Sequence, residues 1–148
     1  MTDLSDMPVL PQVDEDALLE ELKEKSLPLP VIKPLLTRIQ DEAHHYFRET
    51  LDADLLVRHR ATLIDRVLRA LWRFRNIATQ DIALIAVGGY GRAELHPHSD
   101  IDLLLLARNE DSINRHASDL QDFITLLWDI KLDIGHSVRT LDECVTEA

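Results

Sequence analysis

Two aspartates, Asp100 and Asp102, are separated by one residue in an apolar segment, and together they could hold a divalent cation. Side chains two positions apart on a β-strand project from the same face, so the carboxylates lie side by side while Ile101 and Leu103 face the other way. Carboxylates held that close repel each other, and burying them unpaired is costly. Mg²⁺ removes the conflict, because it takes oxygen ligands and binds through one or two carboxylates together with substrate phosphates. The pair therefore predicts a magnesium site; the alternative is a solvent-exposed strand end with two acids of no special function.

A glycine turn precedes the aspartate pair. Three of the four glycines of the chain, Gly88, Gly89 and Gly91, fall within four positions. Glycine permits positive φ and close backbone approach, so successive N–H groups can point into one concavity and bind phosphate oxygens. A glycine cluster can also serve only to reverse the chain. The aspartate pair that follows favours the phosphate-binding interpretation.

Short apolar runs predict the strands that must position these residues. Residues 82–87 and 101–106 are nearly continuous apolar runs on either side of the glycine turn, as expected of buried strands. A helix capped by Asp111 or Ser112, with Trp128 among its inward residues, and a third strand from 131 to about 138 follow. The capping-box sequence at 140–143 opens a further helix, yet the chain stops five residues later. We therefore expect a domain that is incomplete at its carboxyl end.

The first 75 residues have the periodicity of helices. Asp14 caps a short helix that Pro28 and Pro30 close, and an apolar stripe that ends at Phe47 predicts a second helix over 31–51. A third helix, capped by Asp52 or Asp54, carries arginines on its polar face. That face is either a solvated surface or a docking surface for an acidic partner. The fold class predicted from all segments is α+β, a helical amino-terminal region followed by a small mixed sheet with helices.

Composition excludes several classes of protein. The chain has 148 residues and a net charge of −11, which disfavours broad contact with a phosphate backbone, so we expect no nucleic-acid partner. The single Cys144 cannot form an internal disulfide and points to a reducing compartment. No apolar run approaches 18 residues, and the first residues carry acids where a signal peptide carries bases. We expect a cytoplasmic protein with no membrane partner.

The run from Gly88 to Leu103, Gly-Gly-Tyr-Gly-Arg-Ala-Glu-Leu-His-Pro-His-Ser-Asp-Ile-Asp-Leu, resembles a known signature. A Gly-Gly turn followed by Asp-x-Asp on the next strand is similar to the DNA polymerase beta type nucleotidyltransferase superfamily. The longer run, together with Gly-His-Ser-Val-Arg-Thr at 135–140, resembles the bifunctional uridylyltransferase/uridylyl-removing enzymes of bacterial nitrogen signalling. The resemblance covers about residues 30–148. It implies a partial nucleotidyltransferase domain over 31–148. Residues 1–30 carry no motif, and their charge and periodicity predict an acidic amino-terminal segment with one short helix.

The resemblance also implies an activity and a set of site residues. Enzymes of this family transfer UMP from UTP to a tyrosine of the PII regulatory protein. Carried over by position, Asp100 and Asp102 hold the catalytic Mg²⁺. The residues that then contact the nucleotide are Gly88, Gly89, Arg92 and Ser99. Arg92 could pair with phosphate, or equally with Glu94 or another nearby acid.

Superfamily members use a third carboxylate on a later strand, and two residues are candidates for it here. Asp133 alternates with apolar neighbours in the third predicted strand, and Asp129 at the preceding helix end is the second choice. The family continues into a His-Asp hydrolase domain and ligand-sensing domains, which we expect to be missing from this chain. Two alternatives stay open: a nucleotidyltransferase with another base or target specificity, and a nucleotide-binding fragment without turnover.

Overall fold

The computed structural model describes residues 12–76, 81–87, 101–130 and 134–147 of the chain. Three helices come first, and three strands and two further helices follow. They are α1 (Glu15–Lys25), α2 (Pro28–Thr50), α3 (Ala53–Arg75), β1 (Ile82–Val87), β2 (Ile101–Ala107), α4 (Glu110–Asp129), β3 (Ile134–Thr140) and α5 (Leu141–Glu147). The α+β prediction is confirmed. Among the helices of these described ranges, none has the length and apolar character that a membrane crossing needs.

Short acidic and amide side chains cap the starts of α1, α3 and α4. Asp14 accepts hydrogen bonds from the backbone N–H groups of two residues in the first turn of α1, at 3.1 and 3.2 Å, and Asp52 does the same once for α3, at 3.1 Å. Each satisfies backbone donors that have no partner within the helix. The predicted cap of α4 is wrong, because Asn109 accepts from the N–H of Ser112 at 2.9 Å and the helix begins before Asp111.

Helix α2 begins earlier than the prolines predicted. Pro28 occupies the first helical turn, where a residue without an N–H costs nothing, so Pro28 and Pro30 open this helix and do not close the preceding one. Only Ser26 and Leu27 separate α1 from α2. The apolar stripe predicted for this helix ends on an exposed residue, because Phe47 is 40% exposed.

The three strands form one mixed sheet in the order β1-β2-β3. Strand β1 runs antiparallel to β2, with Val87 paired to Asp102, and β2 runs parallel to β3, with Asp102 paired to Gly135. Along β2, Ile101 and Leu103 alternate with more exposed residues and are each 2% exposed. The prediction that they face away from the Asp102 side chain is therefore confirmed. Strand β3 extends to Thr140, past the predicted end at 138, because its last residues still pair with β2.

One apolar core joins the helices to the sheet. Phe123 of α4 is fully buried and meets Trp72 of α3 edge to face, with ring centroids 5.1 Å apart. The buried β2 residues belong to the same cluster. Trp128, predicted to lie inward, is instead 53% exposed and lies against His136, with ring centroids 5.9 Å apart.

Part of the arginine face of α3 meets the start of α1. Nη1 of Arg73 lies 2.7 Å from Glu15 Oε2 and 2.8 Å from Asp16 Oδ1. Hydrogen bonding to Asp16 and then to Glu15 raises the pKa of Arg73. Nη1 of Arg66 donates to the carbonyl of Val13 at 3.0 Å. An acidic segment of the same chain therefore binds this part of the basic face.

Candidate active site

Asp102 is the predicted metal ligand that lies within the described residues. It is the second residue of β2, the middle strand, and its side chain is exposed while both sequence neighbours are buried. Burial of those neighbours fixes the strand, so the Asp102 carboxylate projects from the opposite face of the sheet. Among the described residues it has no hydrogen-bond or ion-pair partner. An exposed carboxylate held by a rigid strand is suited to bind a cation.

A glycine lies directly beside this carboxylate. Gly135 of β3 is the parallel partner of Asp102, and a Cβ placed on Gly135 would lie 2.7 Å from Asp102 Oδ1. Real Cβ atoms do not approach an oxygen that closely. The side chain of Asp102 therefore occupies space that any other residue at position 135 would fill. Sequence analysis placed Gly135 in the resemblance but gave it no role; a glycine inside a strand was the available signal.

The other predicted site residues lie outside the described residues. They are Gly88, Gly89, Arg92, Ser99, Asp100 and Asp133. Three of them are nevertheless bonded to described residues: Gly88 follows Val87, Asp100 precedes Ile101, and Asp133 precedes Ile134. Val87, Ile101 and Ile134 all lie at one end of the sheet, the end that holds Asp102.

Asp129, the second choice for a third carboxylate, is the last residue of α4 and is exposed. The carboxyl end of a helix carries partial negative charge, which disfavours a carboxylate there. This residue belongs to a helix and not to the sheet that carries Asp102.

A divalent cation fits the donor chemistry at Asp102. A carboxylate oxygen is a ligand type that Mg²⁺ prefers, and Gly135 leaves open the volume into which that oxygen points. Within the described ranges, no cluster of three or more His, Cys, Asp or Glu side chains could hold a metal by itself. Since Mg²⁺ commonly keeps waters and binds substrate phosphates, it does not require such a cluster.

A groove of about 560 Å³ lies elsewhere, between α3 and β1. Its lining includes Trp72, Arg73, Ile82 and Ile85 but neither Asp102 nor Gly135. Because Arg73 is already paired with acids of α1, this groove offers no free cation at that position for a phosphate. We assign the candidate site to the sheet end at Asp102 and not to this groove.

A polar cluster that the sequence did not predict lies at the other end of the sheet. His116 Nε2 lies 3.1 Å from Asp81 Oδ2 and donates to it, because an ionised carboxylate only accepts. This hydrogen bond lowers the pKa of Asp81; burial opposes it, and the nearby positive charge of Arg115 adds to the lowering. The pair ties the start of β1 to α4. It lies at the opposite end of β1 from Val87, so it does not belong to the candidate site.

Comparisons with known proteins identify the family of this chain. A family model described as a nucleotidyltransferase domain matches residues 64–144, a range that contains β1, β2 and β3. No solved structure matches.

Curated relatives share the name bifunctional uridylyltransferase/uridylyl-removing enzyme. The one from Pseudomonas syringae is 42% identical over 144 residues, that from Azotobacter vinelandii 45% over 145, and that from Pseudomonas aeruginosa 40% over 145. These alignments cover 93 to 94% of this chain but 16% of each relative, so the chain spans about a sixth of the length of the proteins it matches. The resemblance found in the sequence is confirmed, and the chain belongs to the nucleotidyltransferase domain family.

Proposed function

We propose that this chain carries part of the active site of an enzyme that transfers UMP from UTP to a tyrosine of the PII regulatory protein. The single observation that carries the proposal is the exposed Asp102 carboxylate on the middle strand, at the position where the resemblance expects a metal ligand; no residue within the part of the chain that the structure describes pairs with it. The names of the relatives support uridylyl transfer. The proposal includes a cytoplasmic location, with which a chain that has a single cysteine, Cys144, is compatible.

The proposed nucleotide site extends from the end of β1 to the start of β2. Gly88 and Gly89 offer backbone N–H groups to the triphosphate, and the Ser99 hydroxyl and the Arg92 guanidinium add further donors. The register supports this arrangement, because Val87, which is bonded to Gly88, pairs directly with Asp102.

The boundary proposed between an acidic segment over 1–30 and the transferase domain over 31–148 falls in the first turn of α2.

The proposed chemistry assigns one task to each carboxylate. Asp100 and Asp102 hold Mg²⁺, which when bound offsets phosphate charge and polarises the α-phosphate. Asp133, with Asp129 as the alternative, accepts the proton of the tyrosine hydroxyl while the tyrosine oxygen attacks the α-phosphorus. The bond from that phosphorus to pyrophosphate breaks, and UMP remains on the tyrosine. Positioning and charge stabilisation supply most of the rate in such a transfer.

Calorimetry tests the binding half of the proposal. UTP, ATP and CTP are titrated separately into the chain, each with and without Mg²⁺. We expect heat of binding for UTP only when Mg²⁺ is present, and its loss in Asp102→Asn with an unchanged melting temperature. Asp122→Asn, which neutralises an exposed acid on α4, is the matched control and should bind like the parent. An Asp102→Asn variant that binds Mg–UTP like the parent would refute the assignment.

A transfer assay then distinguishes the alternatives. Radiolabelled UTP is incubated with PII, Mg²⁺ and the chain, and label on PII is counted. Label transfer that Asp133→Asn slows without weakening UTP binding supports the proposed roles. Equal binding of ATP or CTP indicates another base specificity, and binding without transfer indicates a nucleotide-binding fragment.

A further inference from the structure

All four glycines of the chain lie in the segments proposed for catalysis: three in the glycine turn and the fourth, Gly135, in β3. Helix ends, where glycine commonly adopts a left-handed conformation, use Ser26, Leu51 and Asn76 instead, with φ of 55° to 57°. A glycine inside a strand weakens it, because glycine loses more backbone freedom on folding than any other residue and has no side chain to pack. Gly135 therefore needs a reason other than chain reversal.

The backbone at Gly135 does not supply that reason. Gly135 is an internal residue of β3, paired in register with β2, and its φ lies outside the left-handed region that favours glycine. An alanine could adopt the same backbone. What excludes alanine is space, since a Cβ would lie 2.7 Å from Asp102 Oδ1.

The same contact shows which way the carboxylate points. Oδ1 of Asp102 is nearer to the Cβ position than Cγ is, at 2.7 against 3.9 Å. The carboxylate thus extends from β2 across Gly135 towards β3. Asp133, the proposed third carboxylate, immediately precedes β3 in the sequence.

We propose that Gly135 is a positioning residue: its missing side chain keeps open the volume over β3 into which the Asp102 carboxylate points, and so sets the direction of a metal-ligating oxygen. The inference rests on the proposed function for the identity of the ligand, a divalent cation with nucleotide. The orientation of Asp102 itself can be tested without any ligand.

Gly135→Ala should redirect Asp102 and not unfold the sheet. The Asp102 side chain is exposed, so it can rotate to another staggered rotamer in solvent when a methyl group takes its place. A carboxylate that has rotated away no longer directs its oxygen at the cation. Changes in residues that orient a metal ligand weaken metal affinity by roughly 10- to 100-fold, and we expect a loss in that range for Mn²⁺ in the presence of UTP.

The ligand-free arm is a double-mutant cycle on melting temperature. Gly135→Ala is made in the parent and in Asp102→Ala. Alanine is preferred over glycine in a strand, so Gly135→Ala should raise the melting temperature when residue 102 is alanine. In the parent, crowding against the carboxylate should cancel or reverse that gain. Equal shifts in both backgrounds would mean that the two side chains do not compete for space, and would overturn the inference.

The metal arm uses Mn²⁺ as a spectroscopic probe. Free Mn²⁺ is measured by electron paramagnetic resonance during titration of each variant with UTP present. Ser137→Ala, an exposed position on the same face of β3 and two residues along, is the matched control and should bind like the parent. Gly135→Ala should bind more weakly at a temperature at which the variant is still folded, as its melting curve shows. Parent-like Mn²⁺ affinity in Gly135→Ala would overturn the positioning role.

The two arms keep the two proposals distinguishable. If the parent binds no Mn²⁺ with UTP, the proposed function fails, and the cycle alone decides whether Gly135 directs Asp102. If the parent binds and the cycle shows no coupling, the proposed function stands and the inference fails.

Discussion

The two ends of the sheet are built differently. At the closed end, defined by Asp81, Arg108 and Thr140, polar groups are satisfied within the chain: the N–H of Arg108 donates to the carbonyl of Asp81 at 2.8 Å, and Thr140 and Glu143 exchange hydrogen bonds. At the site end, defined by Val87, Asp102 and Gly135, an exposed carboxylate has no partner among the described residues, and a glycine makes room for it. One end stabilises the fold, and the other keeps a charged group available.

This difference matches a general trade between stability and function. A carboxylate that is paired within the protein stabilises the fold but cannot bind a ligand, whereas an unpaired one adds little stability and can. Asp81 and Asp102 illustrate the two outcomes on neighbouring strands. The comparison predicts that substitutions at the closed end alter stability and not binding, whereas Asp102→Asn at the site end alters binding and not stability.

The largest effect should come from ligand at the site end. A ligand that binds only the folded chain stabilises it by about 2.7 kcal/mol when present at 100 times its Kd. We expect Mg²⁺ with UTP to raise the melting temperature accordingly, and EDTA or Asp102→Asn to remove the increment. Differential scanning fluorimetry with UTP alone, Mg²⁺ alone and both measures it. An increment that persists in EDTA would place nucleotide binding outside the metal site.

At the closed end, Thr140→Ala should lower stability by about 0.5 to 2 kcal/mol, the cost of losing a helix cap. Thr140 Oγ1 accepts from the N–H of Glu143 at 3.2 Å, and Glu143 Oε1 accepts from the N–H of Thr140 at 3.3 Å. Urea unfolding measures the loss, and Thr140→Ser, which keeps the hydroxyl, is the control. The stabilisation by Mg²⁺ with UTP should stay as in the parent; its loss would show that the two ends are coupled.

A smaller effect should appear in the pH dependence of stability. The pKa of Asp81 is lowered in the folded chain, chiefly by the hydrogen bond from His116. Its contribution to stability is therefore present above the unfolded value, about 3.9, and is lost as the pH falls through the lower folded value. Asp81→Asn should be less stable than the parent at neutral pH and should lose less stability on acidification. Melting curves from neutral pH down to acid test this, with Asp119→Asn, an exposed acid on α4, as the control.

The sequence predicted elements better than it predicted their contacts. The bounds of β1 agree with the apolar run at 82–87, because the flanking residues end the run. The prediction that this strand is buried is wrong: Ile82 is its one buried residue, and β1 lies at an edge of the described three-stranded sheet. The cap at Asn109 was missed, because three short polar residues in four positions offer several equivalent starts. The three strands and the capping-box helix followed from local patterns.

The local sequence pattern could not predict which residues of neighbouring strands pair with each other. Gly135 lies beside Asp102 because β3 pairs parallel with β2, and residues 33 positions apart carry no local signal of that pairing. The same holds for His116 and Asp81, and for the acids of α1 that meet Arg73. Sequence therefore identified Asp102 as a candidate ligand, and tertiary structure revealed the glycine that gives its side chain room.

The smallest effect should come from the ion pair between α1 and α3. Arg73 is 45% exposed, and exposed ion pairs add little because water and salt screen them. Buried Leu18 and Leu22 hold α1 in the core instead. A double-mutant cycle with Arg73→Gln and Glu15→Gln isolates the pair from the helix-end effects of each charge. We expect a coupling smaller than the loss in Thr140→Ala, and its disappearance near 1 M NaCl, where the screening length is about 3 Å. A coupling that survives high salt would mean that this contact behaves as a buried pair, and that the acidic start of α1 contributes to stability as strongly as the closed end does.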